Sequence, residues 1–342
     1  MNLYGLQPGV AVYSGDPTNV GWWAKSVYGN WNCVCNGGLT MAALAVLGDD
    51  TTGNAATLLS QTIDNAKQNC ALTVTSDGTN NETANYWYFA TTGHAELASS
   101  LMTAAGSDFG LLNTNTNFNL TGLYHMYVKG PTSLFDYGDH GPNKFSTTAN
   151  SMIFYASQYN APQYALFQRD QADAAEPWSM FWYDPSISGA FWNGLPLDHG
   201  FSFNGDQWAS MRSSWTDMNA LYVAMKGCRI PGHQAHGDLD GGDFVLDALG
   251  TRWAGELGSG DYLATGYFDS EAQNATRWLY YRKRTEGQNT ILVDQQNQDV
   301  TANPKMSYGS SGTSQESSTV FKPSSDSTSY VVFDLTSAYF NV

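Results

Sequence analysis

Hydrophobic and polar positions follow two different periods along the chain, and the change falls near residue 205. Upstream the spacing is helical. Leu39-Thr-Met-Ala-Ala-Leu-Ala-Val-Leu47 closes on Gly48, and Ala56, Leu59, Ile63 and Ala66 share one face of 54–70. Further helical segments are expected at Trp22–Tyr28, His94–Ala105, 152–159 and 163–171, with a short segment at 85–90. Ser76-Asp-Gly78, the Asn/Thr run 113–119 and the Gly/Pro stretch 135–142 read as loops. Downstream the period is two. Trp208–Trp215 and Ala220–Lys226 alternate and are bounded by Asp, Asn and Gly, as strands are. The pattern recurs at 244–249, 252–257, 289–294, 318–322 and 329–335, with Ser/Gly-rich loops at 309–318 and 323–329. Helices first and strands afterwards predict an α+β multidomain chain, with a helical part over 1–205 and a strand part over 206–342.

One stretch, Pro231–Tyr262, stands apart. Its first residues crowd His233, Gln234, His236, Asp238 and Asp240 among glycines, directly ahead of the strand pattern 244–249. Polar groups on a glycine-rich turn carried by a sheet are a common setting for reactive side chains. The competing reading is a structural turn whose His bonds to its own loop.

The stretch AHGDLDGGDFVLDALGTRWAGELGSGDY resembles the signature that opens the β-domain of heparinase II/III-like polysaccharide lyases, N-H-G-H-L-D-A-G-S-F-V-L-D-A-L-G-x-R-W-A-x-D-L-G-x-x-x-Y. The run Arg277–Asn289 is similar to that family's R-W-x-Y-Y-R-x-R-x-E-G-H-N. The resemblance implies a fungal-type member and an incomplete (α/α) toroid followed by a truncated antiparallel β-sandwich. It also implies cleavage of a uronic-acid-containing polysaccharide by β-elimination. That reaction needs a base for the C5 proton, an acid for the departing O4 and a group that neutralises the substrate carboxylate.

By position in the family pattern, His236 is the expected base, while His233 does not match. Glu82-Thr-Ala-Asn-Tyr-Trp-Tyr88, similar to E-G-x-x-Y-W-x-Y, puts Tyr86 forward as the acid, with Tyr88 the second choice and a substrate-binding candidate. Asn30-Trp-Asn-Cys-Val-Cys-Asn-Gly-Gly38 resembles N-W-N-x-V-C-N-G-G and offers Asn32 or Asn30 to the substrate carboxylate; helix capping is the plain alternative. Three departures fall on the family's metal positions: Asp238, Glu256 and Gln288. Oxygen donors of this kind suit Ca²⁺ at Asp238 and Glu256 rather than Zn²⁺. A metal-free link through the Gln288 amide is the competing expectation, so no cofactor is expected.

Composition qualifies this picture. The 342 residues carry a net charge of −16 with only 15 Lys and Arg, which argues against nucleic acid and sits awkwardly with an anionic polymer. Seven of the 15, including Arg277, Arg282 and Arg284, lie between 226 and 284, so a local basic cleft is expected to bind substrate. The 11 Trp and 20 Tyr suit stacking on sugar rings, although most must be core. No run of about 18 apolar residues marks a membrane span, and no signal peptide opens the chain. Four Cys are too scattered to suggest a disulfide framework. Asn81-Glu-Thr83, Asn119-Leu-Thr121 and Asn274-Ala-Thr276 fit the glycosylation pattern and point to secretion. The strand pattern at the C-terminus and the missing leader suggest a partial sequence. Two other functions compete: a catalytically inactive carbohydrate-binding relative, and a glycoside hydrolase using Asp238 and Asp240.

Overall fold

Small residues decide how the helical half packs. After α1 (Leu6–Val12) come α2 (Trp31–Val46), α3 (Asn54–Gln68) and α4 (Ala84–Ala105). A Cβ on Gly37 of α2 would stand 3.1 Å from the carbonyl oxygen of Gly93, and one on Gly93 of α4 only 2.8 Å from the Cys33 backbone. The two helices therefore touch backbone to backbone. Gly93 also lies inside one unbroken helix where the sequence suggests two segments; close approach of α2 offsets its low helix propensity. The computed structural model describes residues 6–16, 18, 21–27, 29–141, 149–171, 176–203, 207–227, 229, 236–322 and 328–339.

The cysteines depart from expectation. Cys33 and Cys70 form a disulfide that ties α2 to the turn after α3. A separation of 37 residues gives no sequence signal, and only the α2–α3 hairpin brings the pair together. Cys35 is a half-buried free thiol, and Cys228 lies outside the described residues.

Shorter helices follow: α5 (Leu111–Thr114), α6 (Thr121–Val128), α7 (Asn150–Gln158), α8 (Pro162–Arg169) and α9 (Pro177–Trp182). The chain then forms an antiparallel sheet in sequential order from β1 (His199–Phe201), β2 (Trp208–Arg212), β3 (Tyr222–Lys226), β4 (Phe244–Ala248) and β5 (Thr251–Ala254). Two ribbons complete it. β6 (Lys305–Gly309) pairs with β9 (Tyr330–Asp334), and β7 (Ser314–Gln315) with β8 (Phe321–Lys322). The strand expected at 289–294 is absent. Asp294 and Gln295 take positive φ (49° and 57°) and turn the chain back through a single bridge, Val293 to Gln296.

Helices and sheet share one continuous core. Trp208 of β2 meets Tyr124 of α6 edge-on at 5.5 Å and stacks on Phe201 of β1 at 4.7 Å. Tyr222 and Val245 join the same cluster as Trp87 and Phe167. Arg212, buried beneath the sheet, donates to the carbonyl oxygens of Tyr127 (3.1 Å) and Lys129 (2.9 Å) at the end of α6. A guanidinium there satisfies carbonyls that the helix leaves without partners. The change of texture near residue 205 is thus a change of secondary structure across a packed core.

Candidate active site

Three loops converge on the first turns of α4. Gly138 makes the approach possible. Its φ is +69°, and a Cβ there would stand 2.6 Å from both the His236 carbonyl oxygen and the Thr83 methyl. The Asp139 amide then donates to the His236 carbonyl (2.9 Å), and the Ser259 amide donates to that of His140 (2.9 Å). The segments 135–141, 236–243 and 256–262 are locked together by these contacts.

His236 occupies the centre and is only 7 % exposed. Its ring lies flat on that of Tyr86, centroids 3.6 Å apart and planes at 14°. The Tyr86 hydroxyl is 2.5 Å from that of Tyr262, and Phe268 meets both His236 (5.8 Å) and Tyr262 (4.9 Å) edge-on. Behind the imidazole, Nδ1 lies 3.0 Å from Asp139 Oδ2. Asp139 Oδ1 accepts from the Tyr267 hydroxyl (2.6 Å) and pairs with the buried Lys283 ammonium (2.7 Å). Burial alone would raise the Asp139 pKa, but its bond with His236 and the Lys283 charge outweigh it and hold the carboxyl below its ordinary range. An ionised Asp139 places the imidazole proton on Nδ1 and leaves Nε2 its lone pair. Burial lowers the His236 pKa below the ordinary 6.5, against the opposing pull of Asp139, so the ring is neutral at pH 7. Burial pushes Tyr86 up to about 12 and Tyr262 higher still, so both phenols hold their protons. A neutral imidazole and two protonated phenols in contact can accept one proton and deliver another.

The structure brings together His236 and Tyr86 and leaves Tyr88 elsewhere. Two residues on along α4, Tyr88 turns to the far side and donates to Glu176 (2.9 Å). Asn32 is fully buried inside the helical half. Its amide donates to the Trp23 carbonyl (3.0 Å) and to Asn65 (2.9 Å), while its oxygen accepts from Asn36 (2.8 Å) and the Cys70 amide (3.0 Å). Every hydrogen-bonding position of that side chain is taken, so it does not reach a substrate. Asn30 is nearer the site, but its amide holds the buried Glu82 carboxylate, 3.1 Å from each oxygen. His233 lies outside the described residues. Tyr262 was missed as a site residue although it is the last residue of the signature, because nothing in its spacing says which way the ring points.

The expected basic cleft is mostly internal. Lys226 pairs with Asp240 (2.6 Å), Lys283 with Asp139 and Asp238 (2.9 Å), and Arg252 with Asp247 and Asp136. Arg277 has no exposed surface: its guanidinium packs over Trp278 (4.5 Å) and donates to the Gly237 carbonyl (3.4 Å). Arg282 is exposed but donates to the carbonyls of Leu257 and Ser259, and half-buried Arg284 pairs with Glu286. The turn's carboxylates attract these bases because both are out of water, where an unpaired charge is costly.

The side chains at the three metal positions are engaged with other protein groups. Asp238 has the Lys283 ammonium on one oxygen and the Gln288 amide 3.4 Å from the other; Glu256 is hydrogen-bonded to Asp243. Burial, partly offset by Lys283, pushes Asp238 up to about 7, and burial raises Asp243 to about 6. Among the described residues no group of three His, Cys, Asp or Glu is placed to hold an ion. Lys283 and Lys226 likewise pair with Asp238 and Asp240, the carboxylates that hydrolysis would need.

No family model and no curated protein sequence matches the chain. Solved structures do. The chain is similar to heparinase III (TM-score 0.60, 14 % identity, 87 % of this chain and 44 % of that one). It is also similar to a heparinase III gene product with methylated lysines (0.57, 16 %, 82 % and 39 %). A third match is a heparan sulfate lyase from Pedobacter heparinus (0.50, 18 %, 82 % and 39 %). The chain therefore has a heparinase-like polysaccharide lyase fold, and it spans about two fifths of the length of these structures.

Proposed function

We propose that this chain, an incomplete (α/α) toroid (1–205) followed by part of a β-sandwich (206–342), is the catalytic portion of a polysaccharide lyase acting on a uronic-acid-containing polymer. The observation that carries the reading is the contact of His236, Tyr86 and Tyr262 over the buried Asp139–Lys283 pair. The names of the structural neighbours, heparinase III and heparan sulfate lyase, support the substrate class. In the proposed reaction His236 Nε2 takes the C5 proton. The freed electron pair forms the C4=C5 double bond, the C4–O4 bond breaks, and a phenol proton from Tyr86 or Tyr262 passes to O4. The imidazolium then releases its proton to solvent and the phenolate takes one back, which restores both groups.

Secretion fits the buried Cys33–Cys70 disulfide, which belongs to an oxidising compartment, and the exposed Asn119 and Asn274 of two glycosylation tripeptides. The test is incubation with hyaluronan, heparan, alginate, glucuronan and pectate. A lyase makes an ultraviolet-absorbing unsaturated uronate at each new end. New reducing ends without that absorbance indicate hydrolysis, and binding without either product indicates a catalytically inactive relative.

A further inference from the structure

The Asn-Trp-Asn motif holds two side chains that point inward and one that points out. Asn30 and Asn32 are tied to Glu82, Trp23, Asn65 and Cys70, whereas Trp31 between them is 44 % exposed. Its indole meets that of Trp22, 60 % exposed, with centroids 5.6 Å apart and planes at 61°. Trp22 is followed by buried Trp23, which packs edge-on against Tyr13 (5.9 Å) and whose carbonyl accepts from Asn32. The scaffold of buried amides thus fixes two exposed indoles side by side, a costly arrangement for a surface with nothing to cover.

Beside Trp22 lies an open cleft of about 640 Å³, bordered by Tyr13, Lys25, Gln61, Asp64 and Gln68. That size is within the range of small-ligand sites. Gln61 and Gln68 bring two carboxamide side chains to the lining of the cleft. The cleft also borders Asp16, so it sets one ammonium against two carboxylates and repels an anionic ring. Amides and carboxylates accept from hydroxyl groups, and an indole face covers the C–H face of a pyranose. The surface is near the catalytic cluster in the fold, because Asn30 next to Trp31 holds Glu82, four residues ahead of Tyr86.

We propose that Trp22, Trp31 and the adjoining cleft form a saccharide subsite that takes a neutral pyranose unit. It rests on the reading of the chain as acting on a polysaccharide, and it assigns the recognition of the uncharged sugar to a surface separate from the reacting groups.

The test is calorimetric titration of the whole chain with cellohexaose, chitohexaose and hexagalacturonate, for the parent, Trp22→Ala and Trp31→Ala. The readout is heat of binding, independent of turnover. A chain that makes no unsaturated product but loses neutral-sugar binding in these variants supports the subsite while refuting the lyase reading. At least one neutral hexasaccharide is expected to bind the parent and to weaken about tenfold in each variant. Trp22→Tyr should restore most of the loss, and hexagalacturonate affinity should be unchanged. Absence of parent binding to both neutral sugars overturns the proposal. So do equal neutral-sugar affinities in parent and variants with matched melting midpoints, or an equal loss for hexagalacturonate.

Discussion

His236 draws its chemistry from what surrounds it rather than from its own sequence. Removing the ring by His236→Ala should lower turnover at least about a hundredfold, the usual scale for a lost general base, and should also lower the melting midpoint, because it empties a buried position stacked on Tyr86 and bonded to Asp139. Tyr86→Phe and Tyr262→Phe keep the ring packing and delete the proton. The variant that loses about a hundredfold identifies the acid; two variants at the parental rate would refute the assignment. The pH profile follows from the shifts. A base with lowered pKa stays neutral on acidification, so kcat/KM should hold its plateau below pH 6.5 before falling. With Tyr86 at about 12, no alkaline decline is expected near neutrality. An acid limb centred above 6.5 would contradict the burial-driven shift. The family pattern pointed to His236 and Tyr86 because side chains on a turn and a helix end keep their spacing. It did not point to Asp139, Lys283 or Tyr262, since their contacts with His236 and Tyr86 exist only once distant loops close. Asn32 shows the opposite failure: the motif matched, but the side chain turned into the helix pair.

At the scale of elements, the α2–α3 hairpin and the turn 236–243 carry the testable consequences. A disulfide closing about 37 residues is worth about 4 kcal/mol by chain entropy. Reduction, or Cys33→Ser with Cys70→Ser, should therefore lower the melting midpoint by several degrees, whereas Cys35→Ser should not. In the turn, Lys283 already supplies the positive charge between Asp139 and Asp238. We expect dialysis against a chelator to leave melting midpoint and turnover unchanged; elemental analysis finding one zinc per chain would refute this. Strands at 222–226 and 244–248 were legible in the sequence because burial alternates along them, whereas 208–212 is buried on both faces and was legible from its bounded run. The 289–294 run was not, because its apolar residues Ile291–Val293 lie exposed and paired with nothing longer than one bridge. β1, with three residues, is too short for any period to appear.

For the whole molecule, the charge of −16 and the internal use of its bases bear on binding. With Lys226, Arg277 and Lys283 buried and Arg252 largely so, few cations face an anionic polymer. Raising salt from about 50 to 500 mM should change substrate affinity by no more than about threefold, because screening acts mainly on exposed charges. A tenfold or greater loss over that range would restore the basic cleft. The continuous core joining α6 and α7 to β1–β4 has a consequence of another kind. Tyr86 belongs to the helices and His236 to a loop between strands, and the elements that carry them, α4, β3 and β4, contribute to one buried cluster. The amides of α4 and β3 should exchange with solvent water only through one shared opening, at a common free energy close to that of global unfolding. Under the proposed lyase reading, the motion that admits a polymer would then belong to the loops around the site, with His236 and Tyr86 held by one cooperative body.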